Sequence, residues 1–269
     1  MKKEKVLFVC TLETETRNPP MDKDEEGNFS DPIPPVLWDA KHVPTKEIYD
    51  AYLKDFRPDV LEDYNVLYTG FGKVNATLKL TQRLHSSYLH YLPPMPELVI
   101  NFGTAGSKNI PPGTLVDCTK FVERDMDVTE VGFKFGQTPW DDPATDQILE
   151  FEDIFNPIGK HYTCGSGDNI GTRRFYKGPL TDMGNNGINV DVFDMEAYAL
   201  AKVCHYYDVP FISFKYILSD IKTYVGMINS IDKKDPKKLQ EYPLYHWPLH
   251  PENCDGDDQL KREILSKLE

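Results

Sequence analysis

The segment GFGKVN (70–75) sets two glycines and a lysine directly after an apolar run. Glycine turns of this kind cradle phosphates in two known patterns, and this one meets neither. A dinucleotide fingerprint needs a third glycine where Asn75 stands. A P-loop needs four residues between its first glycine and the Gly-Lys pair, with a hydroxyl residue after the lysine, where Val74 stands. By itself GFGKVN reads as a tight strand-to-helix turn. NFGTAGS (101–107) reads as a second glycine turn, bringing backbone close to a ligand and presenting the Thr104 hydroxyl. Glu196 lies just inside a helical pattern in DMEA, and Ser219-Asp220 closes an apolar strand. Both carboxyls are able to move protons or bind hydroxyl groups. Each also has a plain structural reading: acidic residues favour helix N-termini through the dipole, and Ser-Asp after a strand makes a cap or turn. Position at a strand end is what favours a chemical role.

Metal and thiol chemistry find little support. The five cysteines (Cys10, Cys118, Cys164, Cys204, Cys254) are odd in number and form no C-x-x-C pair, so free thiols in a reducing compartment are expected. His246 and His250 are four apart, but Pro248 blocks the helix that would align them. No metal site and no cofactor are expected. The chain of 269 residues carries 30 Lys+Arg against 43 Asp+Glu, a net charge of −13. That balance argues against broad binding of nucleic acid or anionic membranes, which needs a cationic face. After MKKEK the apolar run is only Val6 to Cys10, too short for a signal h-region, and no stretch reaches spanning length. A cytoplasmic protein is expected.

The elements that must position these residues follow from periodicity. VLFVC (6–10), NVLYTG (65–70), PELVINFGTAG (96–106), GTLVDCTKFV (113–122) and VPFISFKYILSD (209–220) read as strands, several ending in glycine or polar residues. VNATLKLTQRLHSSYLHYL (74–92) and DMEAYALAKVCHYY (194–207) read as helices, the second with Asp194 as N-cap. TKEIYDAYLKDF (45–56) and DDQLKREILSKL (257–268) are amphipathic, the latter packing on the outside. Strands alternating with helices predict an α/β fold, with ligands at the carboxyl ends of strands. One domain spans residues 1–269, with a polar, proline-rich insertion at about 16–60 and a C-terminal extension at about 222–269.

None of the motifs decides a function alone, but their order does. LETE (12–15), TGFGKVNAT, INFGTAGS, ERDMDVTEVGFKFGQTP (123–139), SGDN (166–169), DVFDMEAYALAKVCHYYDVPF (191–211) and the strand-end SD (219–220) together resemble the nucleoside phosphorylase and nucleosidase superfamily. Within it the chain is most similar to the 5′-methylthioadenosine/S-adenosylhomocysteine nucleosidases. The DVT…G…FGQ and MEA…A…VC…VPF…SD runs are the specific part, and the resemblance covers most of residues 5–15 and 65–220.

The resemblance implies a three-layer α/β/α fold on a mixed central sheet and hydrolysis of a purine nucleoside's N-glycosidic bond. That reaction builds positive charge on the ribose and negative charge on the leaving base. By resemblance, Asp220 protonates the base, Glu196 grips the ribose hydroxyls and Glu15 activates water. Thr104, Met195 and Ser219 join the substrate-binding set, with Met195 packed on the sugar. Ile170 stands where the family stacks Phe on adenine. Val128 lies in a segment that the family contributes from a neighbouring subunit of a homodimer to cover the alkylthio tail. Phosphorylases of the superfamily hold phosphate with arginines and a glycine-rich first loop. This chain has CTLETE after its first strand and Asn101 where an arginine is usual, with Arg17, Arg83 and Arg124 as remaining candidates. The expected activity is therefore adenine-nucleoside hydrolysis. A phosphate-dependent phosphorylase and a non-catalytic nucleoside-binding protein are the rival readings.

Overall fold

The structure, a computed structural model, describes residues 2–11, 61, 63–91, 93–107, 109–139, 148–169, 188–220 and 261–268, with side chains in the last strand as far as Ile217. The 45–56 helix, the whole of the 16–60 insertion with Arg17, Glu15, Ile170 and residues 222–260 of the C-terminal extension lie outside the described residues.

Among the described residues eight strands form one mixed sheet: β1 (Val6–Cys10), β2 (Asn65–Tyr68), β3 (Leu98–Ser107), β4 (Leu115–Glu123), β5 (Leu149–Glu150), β6 (Tyr162–Ser166), β7 (Val192–Asp194) and β8 (Phe211–Asp220). Helices α1 (Lys73–Tyr88) and α2 (Ala197–Tyr206) lie against it. β1 pairs in parallel with β2 and β3, and β3 pairs in parallel with β8. β8 then runs antiparallel to β4, β4 parallel to β6, β6 parallel to β7, and β7 antiparallel to the end of β3. Strands β3, β8, β4, β6 and β7 thus close a ring. β3 makes closure possible because it changes partner along its length, pairing with β1 through 98–101 and with β7 at 106–107.

Alternation along the strands builds two cores. Val6, Phe8 and Cys10 of β1 join Ile100, Phe102, Ile212 and Phe214 on one face. Leu7 and Val9 join Val99, Phe211, Ile217 and the two helices on the other. Both faces are buried, the pattern of strands covered on two sides. Ala76, Leu80, Leu84 and Ser87 give α1 one buried stripe. The helical stretch 261–266 lies against the first face, where Ile264, Leu265 and Leu268 are buried. The α/β/α expectation therefore holds for the described residues.

Two local expectations are corrected. NFGTAGS is not a turn but the second half of β3. A Cβ at Gly106 would overlap the Phe193 ring, so glycine there admits the aromatic side chain at the ring closure. Asp194 is the last residue of β7, and Glu196 occupies the N-cap position of α2, with φ −134° and ψ −34°. Asp194 still performs capping work, because its Oδ2 accepts the Ala197 N–H at 2.9 Å.

Candidate active site

The segment after β2 meets the ends of β4, β6 and β7 in a network built largely from carboxylates. Gly72 has φ 87° and ψ 159°, a region open essentially to glycine alone. That conformation aims its N–H at Glu196 Oε1, 2.7 Å away. The next N–H, of Lys73, donates to Asp168 Oδ1 at 2.8 Å. The Lys73 ammonium reaches Glu123 at 2.6 Å and Asp125 at 2.5 Å. Asp125 in turn accepts the Asp168 N–H at 2.7 Å, closing the loop. Burial works against the Lys73 charge, but Asp125 and Glu123 outweigh it and hold the ammonium above the usual lysine range. Reading GFGKVN as a strand-to-helix turn is thus correct, and its glycine and lysine tie three segments of chain to the mouth of α2.

Beneath Glu196 lies a second network. Asp194 Oδ2 accepts from Lys215 Nζ at 2.8 Å, and Asp194 Oδ1 accepts from Ser166 Oγ at 2.5 Å. The Ser166 oxygen takes the Tyr198 N–H at 2.7 Å. Burial opposes ionisation of Asp194, yet the Lys215 charge and the hydrogen bonds from Lys215, Ser166 and Ala197 hold its carboxyl below the ordinary aspartate range. Lys215 is likewise opposed by burial and is held above its ordinary range by Asp194, with Cys164 and Glu196 contributing. Lys215 was not singled out from sequence. Its signal was a lone cation inside the apolar run FISFKYIL.

Arg124, left open as a phosphate ligand, is turned inward. Its guanidinium donates to the carbonyls of Gly165 at 3.1 Å, Gly167 at 3.2 Å and Asp194 at 3.3 Å, to Asn169 O, and to Asn169 Oδ1 at 2.7 Å. It braces the loop after β6. Arg83 bonds Ser87 within α1. Asn101 is fully buried: its amide nitrogen donates to Val9 O at 2.9 Å and Phe102 O at 3.2 Å, and its Oδ1 accepts from Ser213 at 2.7 Å. The side chain at the position where phosphorylases of the superfamily usually carry arginine therefore links β1, β3 and β8.

The remaining site residues are placed unevenly. Glu196 is buried and Met195 half-buried beside it. Thr104 is half-buried in β3, opposite Tyr216. Val128 is half-buried at the start of a short 3-10 turn, Thr129–Val131, whose Glu130 and Val131 are exposed. Ser219 and Asp220 complete β8, paired in register with Gly106 and Ser107. A register shift sets Ala105 opposite Ile217 and Gly106 opposite Ser219, so Leu218 is passed over. Cys10, Cys118, Cys164 and Cys204 are buried thiols outside any disulfide, and burial pushes the Cys164 and Cys204 thiols well up. Among the described residues no group of three His, Cys, Asp or Glu is arranged to hold a metal ion, and no helix is long and apolar enough to cross a membrane.

Comparison with known proteins follows the same lines. The family model described as "Phosphorylase superfamily" matches residues 62–225, more than half of the chain. A 5′-methylthioadenosine/S-adenosylhomocysteine nucleosidase of Haemophilus ducreyi is 32% identical over 171 residues, covering 58% of this chain and 67% of the relative. The same-named protein of Bacillus cereus strain G9842 is 30% identical over 178 residues, covering 62% and 73%. Among solved structures, the Neisseria meningitidis nucleosidase of that name in complex with methylthio-immucillin-A superposes with TM-score 0.56 at 17% identity, covering 99% of this chain and 100% of its own. The futalosine hydrolase of Helicobacter pylori superposes with TM-score 0.51 at 18% identity, covering 89% and 97%. By the extent of the family match and the identity to these relatives, the chain belongs to the phosphorylase superfamily, with methylthioadenosine/S-adenosylhomocysteine nucleosidases among its relatives.

Proposed function

We propose that this chain is a nucleosidase that hydrolyses the N-glycosidic bond of an adenine nucleoside of the methylthioadenosine/S-adenosylhomocysteine type. The observation that carries water rather than phosphate as nucleophile is the engagement of Asn101. A residue whose amide links three strands in the core offers nothing to an anion, and Arg83 and Arg124 have partners of their own. The relatives' names support the substrate class.

In this reading Glu196 grips the ribose hydroxyls from the mouth of α2, and Met195 packs on the sugar. Glu15 takes a proton from the attacking water. Asp220, with Ser219 beside it at the end of β8, delivers a proton to the departing adenine, whose ring Ile170 covers. Thr104 binds the substrate from β3. Charge develops on sugar and base together, so carboxylates at both ends serve the transition state. No cofactor takes part.

The protein acts as a homodimer in the cytoplasm. Phe71, Val74 and Leu78 are 55%, 76% and 51% exposed at helical spacing, and Val131 is 72% exposed in the turn that follows Val128. Such an apolar set at the margin of the site favours a second copy whose Val128 segment covers the alkylthio tail.

Adenine release from methylthioadenosine with and without phosphate tests the reading. Equal rates are expected, and strict phosphate dependence overturns hydrolysis in favour of phosphorolysis. Binding without any release in either buffer points to the silent nucleoside-binding protein instead.

A further inference from the structure

Lys215 is a buried charge that the proposed reaction does not use. It stands in mid-strand on β8, its side chain 1% exposed, and its partner Asp194 is equally buried. Buried ion pairs stabilise poorly compared with apolar pairs of the same volume. The consequence of this one therefore lies in the geometry it imposes.

We propose that Lys215 is a positioning residue which, through Asp194, fixes the first turn of α2 and so holds the Glu196 carboxylate in place for the ribose hydroxyls. The inference rests on the reading of Glu196 as the ribose partner. Asp194 and Glu196 flank Met195, and Glu196 has torsions outside the helical region, so the segments on either side of it set its direction. On the strand side, Lys215 from β8 and Ser166 from β6 anchor the Asp194 carboxylate. On the helix side, Asp194 takes the Ala197 N–H and Ser166 takes the Tyr198 N–H. These N–H groups of the first turn have no partner within the helix, and here side chains from two strands hold them. Above, the Gly72 N–H meets Glu196 itself. Lys215 also lies near enough to Glu196 for that carboxylate's charge to reach it. The same ammonium thus acts on two carboxylates, Asp194 by direct contact and Glu196 through its charge.

The test compares the change in kcat/KM on methylthioadenosine with that on its 2′,3′-dideoxy counterpart, which lacks the hydroxyls Glu196 would grip. Lys215→Met/Asp194→Asn removes both charges without stranding one. It should lower kcat/KM on methylthioadenosine by roughly ten- to hundredfold and on the dideoxy compound by less than about threefold. Lys215→Arg keeps the charge and should stay within about threefold of wild type on both. Thermal unfolding confirms that each variant is folded, and should Lys215→Met/Asp194→Asn not fold, Lys215→Gln/Asp194→Asn, which also strands no charge and keeps hydrogen-bonding groups at both positions, carries the comparison on the same substrate pair. Equal losses on the two substrates overturn the proposal, since a merely structural lysine does not distinguish them. Glu196→Gln separates the two levels of argument. If it discriminates the substrates and the Lys215 variants do not, only the Lys215 inference falls. If Glu196→Gln fails to discriminate, the ribose role of Glu196 falls and takes this inference with it.

Discussion

Gly72→Ala tests the junction between the glycine turn and Glu196. With φ 87° and ψ 159°, Gly72 occupies a region where an L side chain costs about 1–3 kcal/mol. An added Cβ would also lie 3.0 Å from Asp168 Oδ1. That oxygen cannot retreat freely, because it accepts the Lys73 N–H at 2.8 Å. We expect a loss of about 2–3 kcal/mol, measured by urea unfolding with linear extrapolation. Gly132→Ala is the control: Gly132 also has positive φ, 93°, but an added Cβ meets nothing within 4 Å, so strain of about 1–2 kcal/mol acts alone. Relaxing the turn would draw the Gly72 N–H away from Glu196 Oε1. Hydrogen bonds to charged groups contribute about 1.5–3 kcal/mol, so kcat/KM for adenine release should fall on the order of ten- to hundredfold. Stability within about 0.5 kcal/mol of wild type would refute the strain argument. A destabilised variant with unchanged kcat/KM would show that the Gly72–Glu196 bond has no part in turnover.

Lys215→Met alone should destabilise by about 3–5 kcal/mol, because it strands a buried Asp194 charge, and adding Asp194→Asn should recover much of that loss. The pair also sets a pH window. Asp194 is held below its ordinary 3.8, so its contribution is present above that pH and lost as pH falls through its own lowered pKa. Lys215 is held above its ordinary 10.5, so its contribution is present below that pH and lost only as pH rises through its raised pKa. Urea unfolding should therefore show a difference between wild type and Lys215→Met/Asp194→Asn, in which neither group titrates, that is flat from about pH 4 to pH 10 and moves against the wild type in acid. A constant difference down to pH 2 would contradict the assignment. Asp220→Asn should abolish adenine release while leaving thermal unfolding near wild type, and a fully active variant would remove Asp220 as the acid. Val74→Asp should shift the protein from dimer to monomer in light scattering after size exclusion. An unchanged mass would exclude the 71–78 face from the interface.

Much of the architecture was legible before any tertiary information. β1, β4, β8 and α1 stand within a few residues of where apolar runs and helical periodicity placed them, because those patterns encode which face each element buries. Glu196 was legible as a residue at a helix start for the same local reason. NFGTAGS was misread, because glycines that mark a turn in isolation here accommodate a ring from another strand. Asp194 was recognised as a cap but not as an ion-pair partner, because its lysine arrives from β8.

By itself, then, the sequence determined the strands and helices, the absence of dinucleotide and P-loop patterns in GFGKVN, and a motif order that identifies the superfamily. These rest on local spacing. Only the tertiary structure decided that Arg124 faces carbonyls, that Asn101 is consumed by three strands, and that Lys73 and Lys215 each hold carboxylates from distant segments. The physical reason is that charges and amides are satisfied by whatever the closed ring of strands brings within about 3 Å, and that proximity leaves no periodic trace along the chain.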